Sequence, residues 1–345
     1  MNNNTSRIVI SRTDNIGDVI LTLPMAGVIK QYLPHSKVIF LGKNYTKEII
    51  NGSIFVDEFY SWDEVQGFGK KEIIDFFHNL HADVFIHVFP NYHIAKIAKK
   101  AQIKTRIGTS RRIYHLLFCN ALVPLSRKNS PHLHESQLNL KLLQPLGIDQ
   151  EFSLQTIPNF YGFKKFISLP DQIQSLLDQK KFNLILHPKS KGSAREWGLN
   201  NFAHFLSLLP KEKFNVFLTG TKEESVEIER TLLSSHPHVI NLVGKLTLGE
   251  LISFIKQADG LIAASTGPLH IASAVGKHAL GLYPPLKSMI PDRWGPIGSH
   301  AQALVSLPKE GRFCKLSCKL NCLCMNRLSP ENVVKVVDNW HKIQD

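Results

Sequence analysis

The feature that most constrains the fold of this chain is a series of short, uninterrupted apolar runs. Helical patterns such as NFAHFLSLL and GELISFIKQA lie between them. Runs without polar alternation indicate strands that are buried on both faces. Such strands, separated by helices, predict an α/β fold with a parallel sheet covered by helices. The predicted strands are RIVISR (7–12), KVIFLG (37–42), DVFIHVF (83–89), FNLILHP (182–188), FNVFLTG (214–220), HVINLVG (238–244), GLIAAS (260–265) and HALGLYP (278–284).

The strand–helix pattern occurs twice, which predicts two doubly wound, Rossmann-like domains. A length of 345 residues agrees with this, since single domains commonly contain about 150 residues. The pattern breaks in YGFKKFISLPDQIQ, so we expect an N-terminal domain at 1–170, a C-terminal domain at 171–328 and a final helix at 329–345. Two such domains facing each other across a cleft would suit an enzyme that binds a nucleotide-linked substrate on one side and an acceptor on the other.

The composition favours an anionic partner. The chain has 41 Lys and Arg against 28 Asp and Glu, a formal net charge of +13. This balance fits nucleic acid, a membrane surface or a phosphorylated small molecule. No nucleic-acid-binding motif accompanies it, so we expect no nucleic acid partner. No segment has the roughly 18 apolar residues of a membrane-spanning helix, and MNNNTSRIVISR lacks signal-peptide features, so we expect a cytoplasmic protein.

The first candidate site follows the first predicted strand. The turn from Arg12 to Asp18, RTDNIGD, opens a helix that is predicted to extend to about Tyr32. Gly17 permits an unusual φ or a close backbone approach, and Asp18 falls in the first helical turn. Asp18 is therefore a candidate general base for an acceptor hydroxyl, with the backbone of Asn15 and Gly17 at the acceptor side of the cleft. The alternative is an acidic residue that only complements the helix dipole.

The second candidate site is the segment HPKSKGSAREW at 187–197. Three cations, Lys189, Lys191 and Arg195, lie within seven residues after a strand end. Cations at such a place neutralise phosphates, and a guanidinium can bind one through two hydrogen bonds. The spacing fits no P-loop signature, so ordinary P-loop chemistry is not expected. A solvated charged loop is the alternative.

The third candidate site is STGPLH at 265–270, which begins the apolar helix HIASAVG. Ser265 and Thr266 supply hydroxyl groups for an N-cap. Gly267 and Pro268 follow in the first turn, as is common at helix starts. The exposed N–H groups and the helix dipole at such a start bind anions. His270 lies about one turn further on, within reach of a phosphate or a sugar hydroxyl, and a capped structural helix with a packed histidine is the alternative.

Several other chemistries are excluded by the sequence. The segment GFGKKE at 67–72 lacks the third glycine of a dinucleotide-binding motif and follows no good strand. The chain contains no Gly-x-Ser-x-Gly elbow and no Asp-x-Asp pair of the kind that often holds Mg²⁺ on a diphosphate. We therefore expect neither a metal nor a cofactor, and cations and helix N-termini would act on the diphosphate instead.

Two groups of possible metal ligands are expected to have other roles. His132 and His134 in SPHLHES indicate a helix start capped by Ser130 more than a metal pair. Four cysteines lie within eleven positions, but zinc ribbons prefer Cys-x-x-Cys pairs, so a structural or incidental role is expected. These cysteines are Cys314, Cys318, Cys322 and Cys324.

Taken in this order, the three segments resemble glycosyltransferase family 9, the ADP-heptose:lipopolysaccharide heptosyltransferases. The resemblance extends over most of the chain. It is clearest in SRTDNIGDVILTLPMAGVIKQYLPHSKVIFLG, in HPKSKGSAREW and in VGKLTLGELISFIKQADGLIAASTGPLHIASAVG. It implies a GT-B fold of two Rossmann-like domains, an inverting reaction without a metal, and transfer of heptose from ADP-heptose to the lipopolysaccharide inner core.

The resemblance also implies roles for individual residues. Asp18 matches the family's Gly-Asp carboxylate, the expected base for the acceptor hydroxyl. Arg195 takes the place of a family lysine that contacts an acceptor-side phosphate or the donor. Thr266, Gly267 and His270 match the stretch that receives the donor diphosphate.

Further residues concern the donor side. Glu223 or Glu224, in TGTKEES, corresponds to the nucleoside-binding loop of the family. The family usually has Asp where this chain has Ser265, and Gly where it has Lys189. Both departures concern the donor, so transfer of another nucleotide-activated sugar to a surface glycan stays open as an alternative. A non-catalytic nucleotide-sugar-binding homologue is a second alternative.

The expected partners follow from charge and resemblance together. They are a nucleotide-sugar donor, with ADP-heptose first, and a lipid-linked oligosaccharide acceptor. The positive balance suits an enzyme that works at the anionic inner leaflet of the cytoplasmic membrane, as a peripherally associated protein.

Overall fold

The structure is a computed structural model that describes residues 6–125, 130, 132–308 and 323–342. The chain forms two compact units, Met1–Lys165 and Phe166–Asp345. The division falls inside YGFKKFISLPDQIQ, and the second unit includes the C-terminal helix.

The first unit is built on a six-stranded parallel sheet. Its strands are β1 (Arg7–Ser11), β2 (Lys37–Gly42), β3 (Glu58–Ser61), β4 (Val84–His87), β5 (Thr105–Thr109) and β6 (Ala121–Val123). Their order is β3-β2-β1-β4-β5-β6, and Ile8 of β1 pairs with Val38 on one side and Val84 on the other. The described helices are α1 (Ile16–Ile20), α2 (Pro24–Tyr32), α3 (Lys47–Asn51), α4 (Trp62–Val65), α5 (Lys70–Asn79), α6 (Tyr92–Lys100), α7 (Ile113–Phe118) and α8 (Glu135–Leu140).

The second unit repeats this topology. Its strands are β7 (Phe182–His187), β8 (Phe214–Leu218), β9 (Ile240–Asn241), β10 (Gly260–Ala264), β11 (His278–Tyr283) and β12 (Ala301–Val305), in the order β12-β11-β10-β7-β8-β9. The described helices are α9 (Asp171–Gln174), α10 (Leu199–Leu208), α11 (Ser225–Ile228), α12 (Leu248–Gln257), α13 (Gly267–Ala274), α14 (Pro291–Trp294) and α15 (Pro330–Val337). All neighbouring strands of both sheets are parallel. The predicted α/β fold with two doubly wound sheets is confirmed.

The apolar runs form the core because each central strand is covered on both faces. Every residue of β10 and of β11 is buried. Val333 and Val337 of α15 belong to the same apolar cluster as Phe202 and Phe205 of α10, so the final helix packs into the second unit. At Gly260, a Cβ would lie 2.8 Å from the Trp340 ring, so the glycine allows the indole to cover the start of β10.

The structure differs from the sequence-based expectations mainly at the sheet edges. No strand was predicted at β3, β5, β6 or β12, and the seven-residue strand expected at 238–244 is reduced to two residues. β12 and β9 contain no fully buried residue, since edge strands are paired on one side only. Without a continuous buried run, such strands lack the signal that identifies the central ones.

Two expected helix starts are also corrected. The helix predicted to run to Tyr32 is divided into α1 and α2, because Pro24 lacks an N–H and begins a new helix at its first position. The cap of α8 is His134, whose Nδ1 accepts from the Ser136 N–H at 3.2 Å, and not Ser130. Of the cysteine cluster, Cys314, Cys318 and Cys322 lie outside the described residues, and Cys324 is half-buried with a free thiol.

Candidate active site

The candidate residues follow strands that flank the point where strand order reverses in each sheet. In the first unit this point lies between β1 and β4, and the turn that contains Asp18 follows β1. In the second unit it lies between β7 and β10, which precede Lys189 and Ser265. Open α/β sheets bind ligands beyond the carboxyl ends of strands at this reversal. The two sheets therefore each present a site of the expected kind.

In the first unit, one buried arginine holds two carboxylates. Arg12 Nε donates to Asp14 Oδ1 at 2.7 Å, and its Nη2 donates to Asp18 Oδ1 at 2.6 Å. The Arg12 side chain is only 5% exposed, whereas the Asp18 side chain is 17% exposed. Within the described residues, no hydrogen bond engages Asp18 Oδ2. One oxygen of Asp18 is thus fixed by a charge-assisted hydrogen bond, and the other is left to accept a proton.

The arrangement contains one more negative charge than positive charge. Burial is the main reason that the pKa of Asp14 rises to about 6, and the nearby Asp18 carboxylate adds to this, although Arg12 opposes it. Tyr45 donates its hydroxyl to the Asp14 carbonyl oxygen at 2.7 Å. Burial, followed by the Asp14 and Asp18 charges, raises the pKa of Tyr45 to about 12. Near pH 6 a proton on Asp14 would leave a balanced pair of Arg12 and Asp18.

A second set of hydrogen bonds fixes the backbone that carries Asp18. The Thr22 hydroxyl donates to the Asp18 carbonyl oxygen at 2.8 Å. Asn139 of α8 donates to the same hydroxyl at 3.1 Å and lies 3.2 Å from the Leu21 carbonyl oxygen. Because Thr22 and Asn139 are buried, this clamp holds α1 against the body of the unit.

The two backbone positions predicted beside Asp18 have different environments. Asn15 is exposed and precedes α1 without a side-chain capping hydrogen bond, and its carbonyl oxygen accepts from Val19 at 3.0 Å. Gly17 is helical and does not have a positive φ, so the expectation of an unusual φ is wrong. Close approach of a ligand to its backbone stays a prediction.

In the second unit, Lys189 lies between two carboxylates. Its Nζ is 2.9 Å from Glu196 Oε2 and 3.0 Å from Glu227 Oε2. Burial disfavours the ammonium, but hydrogen bonds to the two carboxylates outweigh it and raise the pKa of Lys189. Glu196 is itself buried, and its Oε1 accepts from the Ser190 N–H at 2.9 Å. Lys189 thus ties its loop together through Glu196 and joins it to α11 through Glu227. These two carboxylates neutralise much of its charge.

Lys191 has the opposite environment. Its side chain is exposed, and its Nζ is 3.5 Å from Glu223 Oε2, which is also exposed. Lys191 and Gly192 both have positive φ, at 48° and 84°. A left-handed backbone is unfavourable for a residue with a Cβ and recurs at functional loops. Lys191 therefore presents an exposed cation beyond the carboxyl end of β7, and its exposed pair with Glu223 neutralises it less than the two carboxylates neutralise Lys189.

The end of this loop is anchored by Trp197. The indole is buried, its Nε1 donates to the Leu328 carbonyl oxygen at 2.7 Å, and its ring centroid is 4.9 Å from that of Phe202. Arg195, two residues earlier, is half-buried. The anchor restricts where Arg195 can reach. His187, at the start of the loop, adds no charge, since burial lowers its pKa to about 4.

The start of α13 is left open to a ligand. Thr266 is its N-cap, but the Thr266 hydroxyl lies 3.3 Å from the Ala264 carbonyl oxygen and makes no capping hydrogen bond to the helix. Pro268, in the first turn, has no N–H to satisfy. The N–H of Gly267 and the positive end of the helix dipole therefore remain for an anion.

The remaining predicted residues of the second unit are Ser265, His270, Glu223 and Glu224. Ser265 is half-buried, and its hydroxyl lies 3.4 Å from the Trp294 carbonyl oxygen. His270 is 3% exposed, inside α13. Glu224 accepts from the Thr221 N–H at 2.8 Å and so caps the short helix at 222–224, while Glu223 points to solvent near Lys191.

Sequence reasoning gave no role to four residues that organise the two sites. Arg12 and Asp14 belong to the first motif, and the signal was an arginine followed at two and six residues by carboxylates. Glu196 and Glu227 hold Lys189, and Glu227 is too distant in sequence for any local pattern to pair it with the loop.

Two further observations concern metal and membrane. Within the described residues, no group of three or more His, Cys, Asp or Glu side chains is placed to hold a metal ion. In the same part of the chain, no helix is long and apolar enough to cross a membrane.

Comparison with known proteins gives a consistent family. Residues 79–323 match the sequence profile of glycosyltransferase family 9 (heptosyltransferase). A Haemophilus influenzae protein, provisionally described as a glycosyltransferase, is 26% identical over 91% of this chain and 92% of its own length. The lipopolysaccharide core heptosyltransferase OpsX of the same species is 23% identical over 80% of this chain and 78% of its own length.

The fold agrees with this family. The Escherichia coli heptosyltransferase WaaC, solved with ADP, superposes with a TM-score of 0.72 over 96% of this chain and 99% of that chain, at 15% identity. The expected GT-B class of α/β fold is confirmed by this likeness. Since the family profile matches well over half of the sequence, the chain belongs to glycosyltransferase family 9 and is a glycosyltransferase.

Proposed function

We propose that this enzyme transfers a heptose from ADP-heptose to the inner core of lipopolysaccharide, with inversion and without a metal. The observation that carries the proposal is the state of Asp18. One oxygen is held by Arg12 at 2.6 Å, and the other has no hydrogen bond among the described residues. A carboxylate fixed in this way at a strand-order reversal is suited to act as a general base.

The proposed reaction is a single displacement. A hydroxyl oxygen of the acceptor attacks the anomeric carbon from the face opposite the diphosphate, and its proton passes to Asp18 Oδ2. The bond between the anomeric carbon and the diphosphate oxygen breaks, and ADP leaves with the bonding electrons. Arg12 is a positioning residue in this scheme, because it fixes Asp18 and touches neither substrate.

The charge on departing ADP would be stabilised by the second unit. The uncapped start of α13, at Thr266 and Gly267, offers N–H donors and the helix dipole. Lys191 and Arg195 supply positive charge from the loop after β7. Lys189 would hold that loop through Glu196 and Glu227, and Glu223 or Glu224 would contact the nucleoside.

Three other predicted residues fit the same site less directly. His270 is buried, so we propose that its role is to hold the first turn of α13 in position. Ser265 and Pro268 would shape the entrance for the diphosphate. The Escherichia coli structure that holds ADP supports a nucleotide-sugar donor for this fold.

The proposed acceptor is a lipid-linked, phosphorylated oligosaccharide at the cytoplasmic face of the inner membrane. The formal net charge of +13 supports an enzyme that works beside anionic lipids and a phosphorylated acceptor. Peripheral association with that surface is part of the proposal.

The first experiment is calorimetric binding of ADP, UDP and GDP to the purified protein without a divalent metal. Selective binding of ADP is expected, and it would be followed by an assay with ADP-heptose and heptose-deficient lipopolysaccharide. Transfer should continue in the presence of EDTA. Binding that requires a divalent metal, or ADP binding without any transfer, would contradict the proposal.

A second candidate is transfer of a different nucleotide-activated sugar to a surface glycan. It is favoured by Ser265, which stands where the family usually has Asp and whose hydroxyl is directed to the Trp294 carbonyl oxygen. A clear preference for UDP or GDP in the same titration would support this candidate over the first.

A further inference from the structure

The positive charge of this chain is concentrated in one stretch of the first unit. Between Asp83 and Glu135 the sequence contains nine Lys and Arg and no Asp or Glu, against a net charge of +13 for the whole chain. This stretch contains α6 and α7, which pack against each other beside β4 and β5. An unbalanced run of cations of this length attracts an extended anionic partner.

The same surface exposes large apolar side chains. Ile113 is 80% exposed, Leu117 60% and Leu116 54%, all on α7, and Tyr92 at the start of α6 is also exposed. A soluble protein rarely leaves adjacent aliphatic side chains uncovered in this way, and such patches mark interaction sites. Tyr92 packs against the helix that carries the three aliphatic side chains, since its ring is 5.9 Å from that of Tyr114 and 5.6 Å from that of Phe118.

Cations border these apolar side chains. Lys96 Nζ lies 5.6 Å from the centre of the Tyr92 ring. Lys99 Nζ donates to the Leu117 carbonyl oxygen at 2.8 Å and so ties α6 to α7. Arg111 and Arg112 are exposed directly before α7. None of these four cations forms an ion pair with a carboxylate among the residues that the structure describes.

We propose that this α6–α7 surface (Tyr92, Ile113, Leu116 and Leu117 with Lys96, Lys99, Arg111 and Arg112) docks the enzyme on a bilayer that contains anionic phospholipids. Aliphatic side chains on a short helix insert among the acyl chains near the headgroups, and the surrounding Lys and Arg contact lipid phosphates. Long cationic side chains suit this role because they extend from an apolar base to a polar interface.

The charge pattern favours a bilayer over a second copy of the chain. An isologous dimer through this surface would bring the same unpaired cations of both copies together, with no carboxylate in the stretch to offset them. An anionic bilayer supplies negative charge continuously along the surface and accepts apolar side chains of any shape.

The surface also has a functional position within the first unit. α6 follows β4, and α7 follows β5, so both helices begin at the carboxyl edge of the sheet. Asp18 follows β1 at that same edge. Docking through α6 and α7 would bring the lipid surface to the side of the unit that carries the proposed base. The link between docking and the proposed base rests on the proposed function, because it assumes an acceptor with a lipid anchor. Docking on the bilayer does not depend on that assumption.

The test is flotation of the full-length protein with vesicles, in the absence of donor and acceptor. We expect binding to vesicles of phosphatidylcholine and phosphatidylglycerol, and loss of most binding in pure phosphatidylcholine. The double variant Arg111→Glu/Arg112→Glu should weaken partitioning by at least about tenfold. Ile113→Ser/Leu117→Ser should weaken it by a similar factor, and added salt should weaken the remaining interaction.

Matched control variants test whether the loss of vesicle binding depends on the α6–α7 surface or on charge and hydrophobicity anywhere in the protein. Lys70→Glu/Lys71→Glu makes the same charge change at exposed positions of α5, and Leu307→Ser removes an exposed aliphatic side chain of the second unit. Both should bind vesicles within about twofold of the unchanged protein. Equal losses in the controls and in the α6–α7 variants would overturn the proposal, as would equal binding to neutral and anionic vesicles.

Two further measurements keep this proposal distinct from the proposed function. Calorimetric ADP binding by the α6–α7 variants should be unchanged, which also verifies folding. Sedimentation velocity should show the same association state for Ile113→Ser/Leu117→Ser and the unchanged protein, and loss of a dimer in that variant would assign the surface to a second copy instead. Vesicle binding without ADP binding would refute the proposed transfer but not the docking surface. ADP binding without vesicle binding would refute the docking surface and the proposed peripheral association, but not the proposed transfer.

Discussion

The two units use one topology to build sites whose exposed groups have opposite charge. In the first unit the loop after β1 surrounds one buried arginine with Asp14 and Asp18. In the second unit the corresponding loop after β7 surrounds one partly buried lysine with Glu196 and Glu227, and leaves Lys191 exposed. In each unit the buried cation holds the carboxylates of its loop in place. The charged group left exposed beside it is negative in the first unit and positive in the second.

Under the proposed function, this difference would divide two chemical tasks between the two copies of one fold. A partly exposed carboxylate, fixed by a guanidinium, suits proton removal from a hydroxyl. An exposed ammonium next to an uncapped helix start suits binding of a diphosphate. The strand-order reversal provides the location in both units, and the loop sequence determines the charge.

The largest expected effect tests the acidic site. Asp18→Asn should lower kcat by about 1,000-fold, because an amide cannot accept the hydroxyl proton, while ADP binding stays unchanged. Initial rates with ADP-heptose and calorimetry with ADP measure the two properties. Asp75→Asn, at an exposed position of α5, is the matched control and should keep full activity. Weaker ADP binding in a well-folded Asp18→Asn protein would contradict the assignment of a base.

A smaller effect concerns the extra carboxylate of the same site. The folded-state pKa of Asp14 is raised from 3.8 to about 6, so the folded protein binds this proton more tightly than the unfolded chain. The resulting stability is present below about pH 4 and is lost as the pH rises through about 6. Two pKa units correspond to about 3 kcal/mol, of which about 2 kcal/mol would be lost between about pH 4.5 and 7.5.

The measurement is urea unfolding of the unchanged protein and of Asp14→Asn between about pH 4.5 and 7.5. The free energy of unfolding of the unchanged protein, relative to the variant, should fall as the pH rises. A difference that does not change with pH would show that Asp14 is ionised throughout this range, against the burial argument.

The smallest effect separates the two lysines of the cationic site. Lys191→Ala should weaken ADP binding about fivefold with little change in stability, because its exposed pair with Glu223 contributes little. Lys189→Ala removes the same charge but leaves the buried Glu196 without its ammonium partner. It should therefore lower Tm more than Lys191→Ala does, and weaken ADP binding less. A stably folded Lys189→Ala protein with the larger loss of ADP affinity would reverse the two roles.

The sequence predicted the central strands well and the edges poorly, for one physical reason. β7, β10 and β11 are buried on both faces along nearly their whole length, so most of their positions are apolar, and that pattern is visible without the structure. β3 and β12 are edge strands with half-exposed residues, so many sequences would satisfy them. The helix start at Pro268 was predicted correctly, whereas the start at Pro24 and the His134 cap were missed.

The candidate site residues also differ in how much of their role could be predicted from the sequence. The sequence by itself predicted the loops of the proposed chemistry, since each motif directly follows a buried strand, and Asp18, Lys191 and Thr266 were among the residues that it named. Only the tertiary structure decided which charges remain available. Arg12 and Lys189 are neutralised by carboxylates, and Glu227 reaches Lys189 from α11, across a distance in sequence that no local pattern spans. Ion pairing depends on separations of a few ångströms in the folded chain, whereas sequence patterns report only burial and local geometry.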